Sequence, residues 1–228
     1  MNVSILIPLY KPEKILLDKV INSVKKQKFK GKKEIIIINQ GLGLAASLNY
    51  GIKKAKYETI VTIHQDCIPQ SNNWIEELIS PFKKENVVAT CSDVYDVENN
   101  KRYTPALDEK GCAYKKESLE KVGLFDEKTF LNSGEDMDMY LKLKKIGKIE
   151  YPHCVVKHYH KGYLKANGYK KLQNANTSGC LFRVYGFKFS GWWKSLVLAN
   201  IFNPHYFYWY WRGFLKGKQD FKKPSNIS

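Results

Sequence analysis

The chain has 228 residues, 43% hydrophobic and 26% charged. That balance excludes wholesale disorder and leaves room for one large domain, or a domain with an appendage. Five cysteines (Cys67, Cys91, Cys112, Cys154 and Cys180) form no CxxC pair, which speaks against a disulfide scaffold or zinc ribbon and fits a reducing compartment. The opening residues turn polar too soon for a signal peptide, and no run of about 18 apolar residues follows, so the expectation is a cytoplasmic chain without a spanning helix. The net charge of +16 is uneven: 13 basic residues and one acid lie from Lys157 onward, against 25 and 21 before it. Between Phe182 and Phe214 lie 14 of the 31 aromatic residues. A basic, aromatic tail on a nearly balanced body reads as an attachment surface for something anionic, nucleic acid or lipid headgroups.

Val3 to Pro8 is a short apolar run suited to a buried parallel strand. Leu16, Val20, Ile21 and Val24 recur at helical spacing after Pro12, with Gly31 as a stop. Glu34 to Asn39 is a second strand, Gly43 to Lys54 a helix, and Thr59 to Ile63 a third strand. Trp74 to Ile79 is a further helix, broken at Pro81, and Asn86 to Cys91 a fourth strand. Asp93 to Leu131 is irregular and glycine-punctuated. Glu135 to Ile146 is a clear helix, and Cys154 to Val156 a last short strand. Alternating strands and helices predict an α/β domain with a mostly parallel sheet, whose ligands bind past the carboxyl ends of the strands.

Three constellations fall where chemistry is expected. His64-Gln65-Asp66 follows a buried strand, where a carboxylate can hold a divalent cation that bridges two phosphates; the alternative is a loop Asp that caps the next helix. Ser133 to Asp138 opens a helix with three carboxylates. Acids there complement the helix dipole, but three in four positions exceed that need, and one would make an ionised general base. His158 and His160 share a face of a strand and could approach one ion. The Gly41-Leu-Gly-Leu44 turn matches neither GxGxxG nor a P-loop.

These segments together resemble the family 2 glycosyltransferases, over residues 1 to about 165. Val3 to Tyr10 is similar to the family's opening strand, and Gly43 to Gly51 to its helix toward the metal site. His64-Gln65-Asp66 stands where the family has Asp-x-Asp. Gly111 to Tyr114, with Val122 to Asp126, resembles the acceptor-side segment. Gly134 to Leu143 is similar to the Glu-Asp motif, and Val155 to His158 to the late histidine. The resemblance implies a GT-A-like catalytic domain over 1–165; the basic, aromatic tail is read as a C-terminal helical, membrane-associating segment over 166–228. It implies that Pro8, Tyr10, Asn39, His64, Gln65 and Asp66 bind the nucleotide sugar, that Asp66 and His158 hold Mg²⁺ or Mn²⁺, and that Asp136, beside Glu135, is the catalytic base. The sequence departs from the pattern in three places: Asn39 replaces an Asp, the stretch from Asn39 to Gly43 is short, and His64 replaces the first Asp of Asp-x-Asp.

The expected activity is inverting transfer of a hexosyl group from a nucleotide sugar to a hydroxyl of a saccharide acceptor, one linked to a lipid such as a polyprenyl phosphate. A catalytically silent relative is the alternative that His64 allows. A nucleic-acid-binding module is the other, and no such motif appears. Tyr206 to Trp211 is six consecutive aromatics, more than one helix face can bury, and Lys216, Lys218, Lys222 and Lys223 follow. The tail is therefore expected on an anionic membrane, on the cytoplasmic face, and nucleic acid is not an expected partner.

Overall fold

β1 (Val3–Pro8) is buried at all six positions, as a strand covered on both faces must be. Its alternating side chains feed two separate cores. Val3, Ile5 and Ile7 pack with Val20 and Val24 of α1 (Lys14–Lys25) and with Trp74 and Leu78 of α3 (Trp74–Ile79). Leu6 turns the other way, toward Leu48 and Ile52 of α2 (Leu44–Lys54). Helix α2 lies very close to the sheet. A Cβ on Gly51 would stand 2.6 Å from Ile38 Cδ1, so any side chain there would push the helix away. This is a computed structural model, and it describes residues 1–131, 133–159, 167–186 and 204–219.

The main sheet has the strand order β2-β1-β3-β8-β5-β9. β2 (Lys33–Ile38), β1 and β3 (Thr59–Thr62) run parallel. β8 (Cys112–Lys115) runs antiparallel between β3 and β5 (Val87–Cys91), and β9 (Lys148–Glu150) pairs parallel with β5. A second sheet, β4-β10-β6-β7, is built from β4 (Cys67–Pro69), β10 (Val155–His158), β6 (Asp93–Asp96) and β7 (Lys101–Tyr103). The architecture is the expected α/β one, with sheets flanked by helices.

The stretch Asp93–Leu131 is not irregular: it holds β6, β7, β8 and α4 (Lys116–Lys121). Strands of three or four residues carry too few side chains for a period to show. Their pairing comes from neighbours distant in sequence. The last strand also runs two residues further than Val156, and this carries His158 into the ladder.

The chain divides into two compact units, Met1–Phe125 with Asp136–Lys161, and Asp126–Glu135 with Gly162–Ser228. In the second, the described residues include α6 (Asn167–Tyr185) and α7 (Pro204–Lys216). Their backbones approach closely because Gly179 faces the Tyr210 carbonyl and Gly213 faces that of Asn176; a Cβ on either would stand about 2 Å from the opposing oxygen. Asn176 donates from Nδ2 to the Trp209 carbonyl at 3.0 Å. Arg183 closes the end of α7 by donating to the Phe214 and Leu215 carbonyls at 2.8 and 2.6 Å.

Candidate active site

Two strands bring the expected cation ligands, Asp66 and His158, together. In the β4–β10 ladder, His158 is paired with Cys67, and the Tyr159 N–H donates to the Asp66 carbonyl at 2.9 Å. That register sets His158 Nε2 3.5 Å from Asp66 Oδ2. Burial alone would raise the Asp66 carboxyl; the hydrogen bond from His158 leads the effects that outweigh it and hold the carboxyl below its usual value. Cys67 is the third group within reach. Burial pushes its thiol far up, so it stays protonated and is no ligand for a hard cation. One carboxylate and one imidazole, partly open to solvent, leave positions for water and phosphate oxygens. That donor set fits Mn²⁺ or Mg²⁺ held jointly with a diphosphate.

His64 ends up partly buried past β3. Its Nε2 is buried without a hydrogen-bond partner among the described residues. Desolvation, with the nearby Lys110 charge, lowers it to a pKa of about 4, so it is neutral. Gln65 turns back onto the loop after β1: it accepts from the Tyr10 N–H at 2.8 Å and donates to the Tyr10 carbonyl at 2.7 Å. Those two bonds fix the backbone of Tyr10 while its ring stays exposed. Pro8 is buried at the end of β1, and Asn39 is exposed one residue past β2. The strand ends thus present Tyr10, Asn39 and Asp66 along one edge of the sheet, as a strand-end site requires.

α5 (Glu135–Leu143) carries the acidic run. Asp138 is committed to an ion pair with Lys142 at 2.6 Å, and Glu135 is buried. Asp136 is the more accessible of the first two. Its carboxyl is raised above the ordinary value by burial, with the Asp108 charge adding to it against the Met137 N–H and Lys110. His153, by contrast, pairs with Asp93 at 3.3 Å. His160 lies outside the described residues.

The loop entering β8 is what the sequence reading missed. Lys110 Nζ donates to Asp108 Oδ2 at 2.8 Å, and both side chains are largely buried. The charges of this pair act on His64 and on Asp136 alike, so the loop lies near both. Glu109, between them, is fully buried with φ +61° and accepts from the Tyr114 hydroxyl at 2.5 Å. Burial raises its carboxyl to about 8. The only hint in the sequence was three charges, Asp108-Glu-Lys110, directly before the Gly111 to Tyr114 segment. On the far side of the same loop, Asp108 also stands near Cys91 and Cys112, which are buried register partners with Sγ atoms 3.2 Å apart.

Residues 39–135 match the family Glycosyl transferase family 2. The fold is GT-A-like, as in the solved glycosyltransferases that follow. Among solved structures, a mannosyltransferase from Pyrobaculum calidifontis in complex with GDP-Man and Mn²⁺ aligns with a TM-score of 0.58 at 14% identity, over 77% of this chain and 61% of that one. GalNAc-T7 with UDP, GalNAc and Mn²⁺ aligns at 0.57 and 16%, over 70% of this chain and 44% of that one. The catalytic domain of Drosophila beta1,4galactosyltransferase 7, in complex with xylobiose, aligns at 0.57 and 14%, over 72% of each chain. The chain therefore spans about three fifths of the first of these proteins and less than half of the second. No curated protein matches in sequence.

Proposed function

We propose that the protein transfers a hexosyl group from a nucleotide sugar to a saccharide hydroxyl, with inversion at the anomeric carbon. The observation that carries this reading is the Asp66–His158 pair, set 3.5 Å apart by the β4–β10 register, at the sheet edge that also presents Tyr10 and Asn39. Two of the similar structures contain Mn²⁺ with GDP-Man or with UDP, which supports the same ligand chemistry here.

In this reading Tyr10 and Asn39 receive the nucleoside, with Pro8 shaping the turn and Gln65 holding the Tyr10 backbone. Asp66 and His158 hold Mn²⁺ or Mg²⁺, which when bound neutralises the charge that develops on the departing diphosphate. His64, neutral, lies beside the diphosphate without adding charge. Asp136 accepts the proton of the acceptor hydroxyl as that oxygen attacks, on the face opposite the nucleotide. A carboxyl raised by burial suits this role, since a stronger base removes the proton more readily.

Residues 1–165 form the catalytic domain, and 166–228 attach it to the cytoplasmic face of an anionic membrane, where a lipid-linked acceptor such as a polyprenyl-phosphate saccharide would be met. No helix among the described residues is long and apolar enough to cross a membrane. Support for surface attachment comes from the exposed aromatic side of α7 and its basic end.

The test is a panel of nucleotide sugars with Mn²⁺, followed by thermal shift and by release of nucleoside diphosphate. A bound donor raises the melting temperature by mass action. Turnover of one donor would support the reading and exclude a silent relative. A panel that neither stabilises the protein nor turns over would overturn it.

A further inference from the structure

Lys110 stands in a position that the glycosyltransferase reading leaves without a task. β3 and β8 pair antiparallel with Val61 opposite Ala113 and Thr62 opposite Cys112. His64 and Lys110 each lie two residues beyond the last pair of that ladder, Thr62–Cys112. The side chain is 18% exposed and its ammonium reaches Asp108 at 2.8 Å. Among the described residues Asp108 is its only side-chain partner, and an ammonium has three donors, so two remain. Lys110 is a cation at neutral pH, and its charge reaches His64. It opposes burial and keeps its charge through Asp108, which raises its pKa.

His64 stands where the resemblance expects a carboxylate. An imidazole there brings no negative charge to the cation site, and part of the grip on a bridging metal goes with it. A lysine just beyond the same end of the ladder supplies positive charge to that place by another route. We infer that Lys110 binds the donor diphosphate directly, its ammonium donating to phosphate oxygens on the side left by His64, so that part of the leaving-group charge is neutralised by the chain itself. This rests on the nucleotide-sugar reading above. The competing account is that Lys110 only neutralises the largely buried Asp108. The two accounts differ in what happens when both charges are removed together.

The experiment is calorimetric titration of UDP, GDP, dTDP and ADP, each with Mn²⁺, into wild type, Lys110→Met, Lys110→Arg and the double variant Lys110→Met/Asp108→Asn. Loss of a charged hydrogen bond is worth roughly 10- to 100-fold in affinity. Lys110→Met is expected to lose about that much for whichever diphosphate the wild type binds, and Lys110→Arg to stay within a few-fold. The double variant removes the unpaired buried carboxylate; it is expected to recover the wild-type melting temperature but not the affinity. Wild-type affinity in the double variant would overturn the inference and leave Lys110 as Asp108's counter-ion. A wild type that binds none of the four would bring down the nucleotide-sugar reading, and this inference with it.

Discussion

His158 Nε2 lies 3.5 Å from Asp66 Oδ2, although one ends β10 and the other sits in the turn before β4, far apart in the chain. The contact follows from one ladder, in which a slip of a single residue would turn His158 to the opposite face. Asp66→Ala is expected to remove most of the Mn²⁺ enhancement of nucleoside diphosphate binding, a loss of about tenfold or more, since the only anionic ligand goes with it. His158→Ala should act in the same direction but less completely. Calorimetry with and without EDTA reads both. An unchanged Mn²⁺ effect in Asp66→Ala would rule out this cation site.

Asp136→Asn should cut transfer by about 100-fold or more while nucleoside diphosphate binding stays within about twofold, because the base acts on the acceptor. Burial raises the Asp136 carboxyl, so the ionised form accumulates at a higher pH than for an ordinary aspartate. The rate should therefore rise with pH through a value above the usual aspartate range, and the limb should vanish in Asp136→Asn. Glu135→Gln keeps a buried residue of the same shape and should keep the limb. A dead Glu135→Gln beside an active Asp136→Asn would reverse the assignment.

How far the site was legible depended on how each residue is held. Asp66 follows β3, a short strand buried at every position, and Asp136 opens the amphipathic α5; both were read from pattern and resemblance together. Asn49 lay inside a recognised segment, but its task was not visible: it donates to the Phe125 carbonyl at 2.9 Å and accepts from the Phe125 N–H at 3.0 Å, a two-point clamp between residues 76 apart. Lys110 escaped because β8 is four residues long and antiparallel. Nothing local tells such a segment which strand it will join, and without that partner its lysine is one of many. The approach of His158 to Asp66 was legible as a pairing of types, while its register belonged to the second sheet.

Glu109 gives a prediction about stability. Its carboxyl is buried and bonded to Tyr114, and its folded value of about 8 lies above the model-compound 4.5, chiefly through desolvation. A raised carboxyl stabilises the fold fully below the unfolded value, and that contribution is lost as pH rises through the folded one. Between about pH 4.5 and 8 the loss is at most about 1.4 kcal/mol per unit. Glu109→Gln mimics the protonated acid and does not titrate. Urea unfolding at pH 5 and pH 8 should show wild type falling relative to Glu109→Gln across that window, and no further divergence above it. Parallel curves for the two proteins would mean that Glu109 is ionised in the fold.

The last prediction concerns α7. Its aromatic run does not all pack inward. Tyr210 and Gly213 are buried, the glycine against the Asn176 backbone of α6. Phe207 (49%), Tyr208 (53%), Trp211 (38%) and Leu215 (69%) are exposed. Phe207, Trp211 and Leu215 are spaced i, i+4, i+8, a single stripe, and the Phe207 and Trp211 rings meet edge to face with centroids 6.0 Å apart. Arg212, Lys216 and Lys218 lie along or beyond this side, and residues 204–219 contain no acid. Lys222 and Lys223, with Trp192 and Trp193, lie outside the described residues. Rings at an interface with cations beside them match a headgroup layer, where each basic residue near an anionic leaflet is worth about 1 kcal/mol. Sedimentation with vesicles of pure phosphatidylcholine, and with a fraction of phosphatidylserine, should show binding to the anionic vesicles that weakens with salt. Phe207→Ser/Trp211→Ser should reduce it at least about tenfold, since two rings lose their apolar contact, while Tyr210→Phe, on the buried side, should leave it unchanged. Wild type remaining in the supernatant with anionic vesicles at low salt would exclude the membrane as its partner.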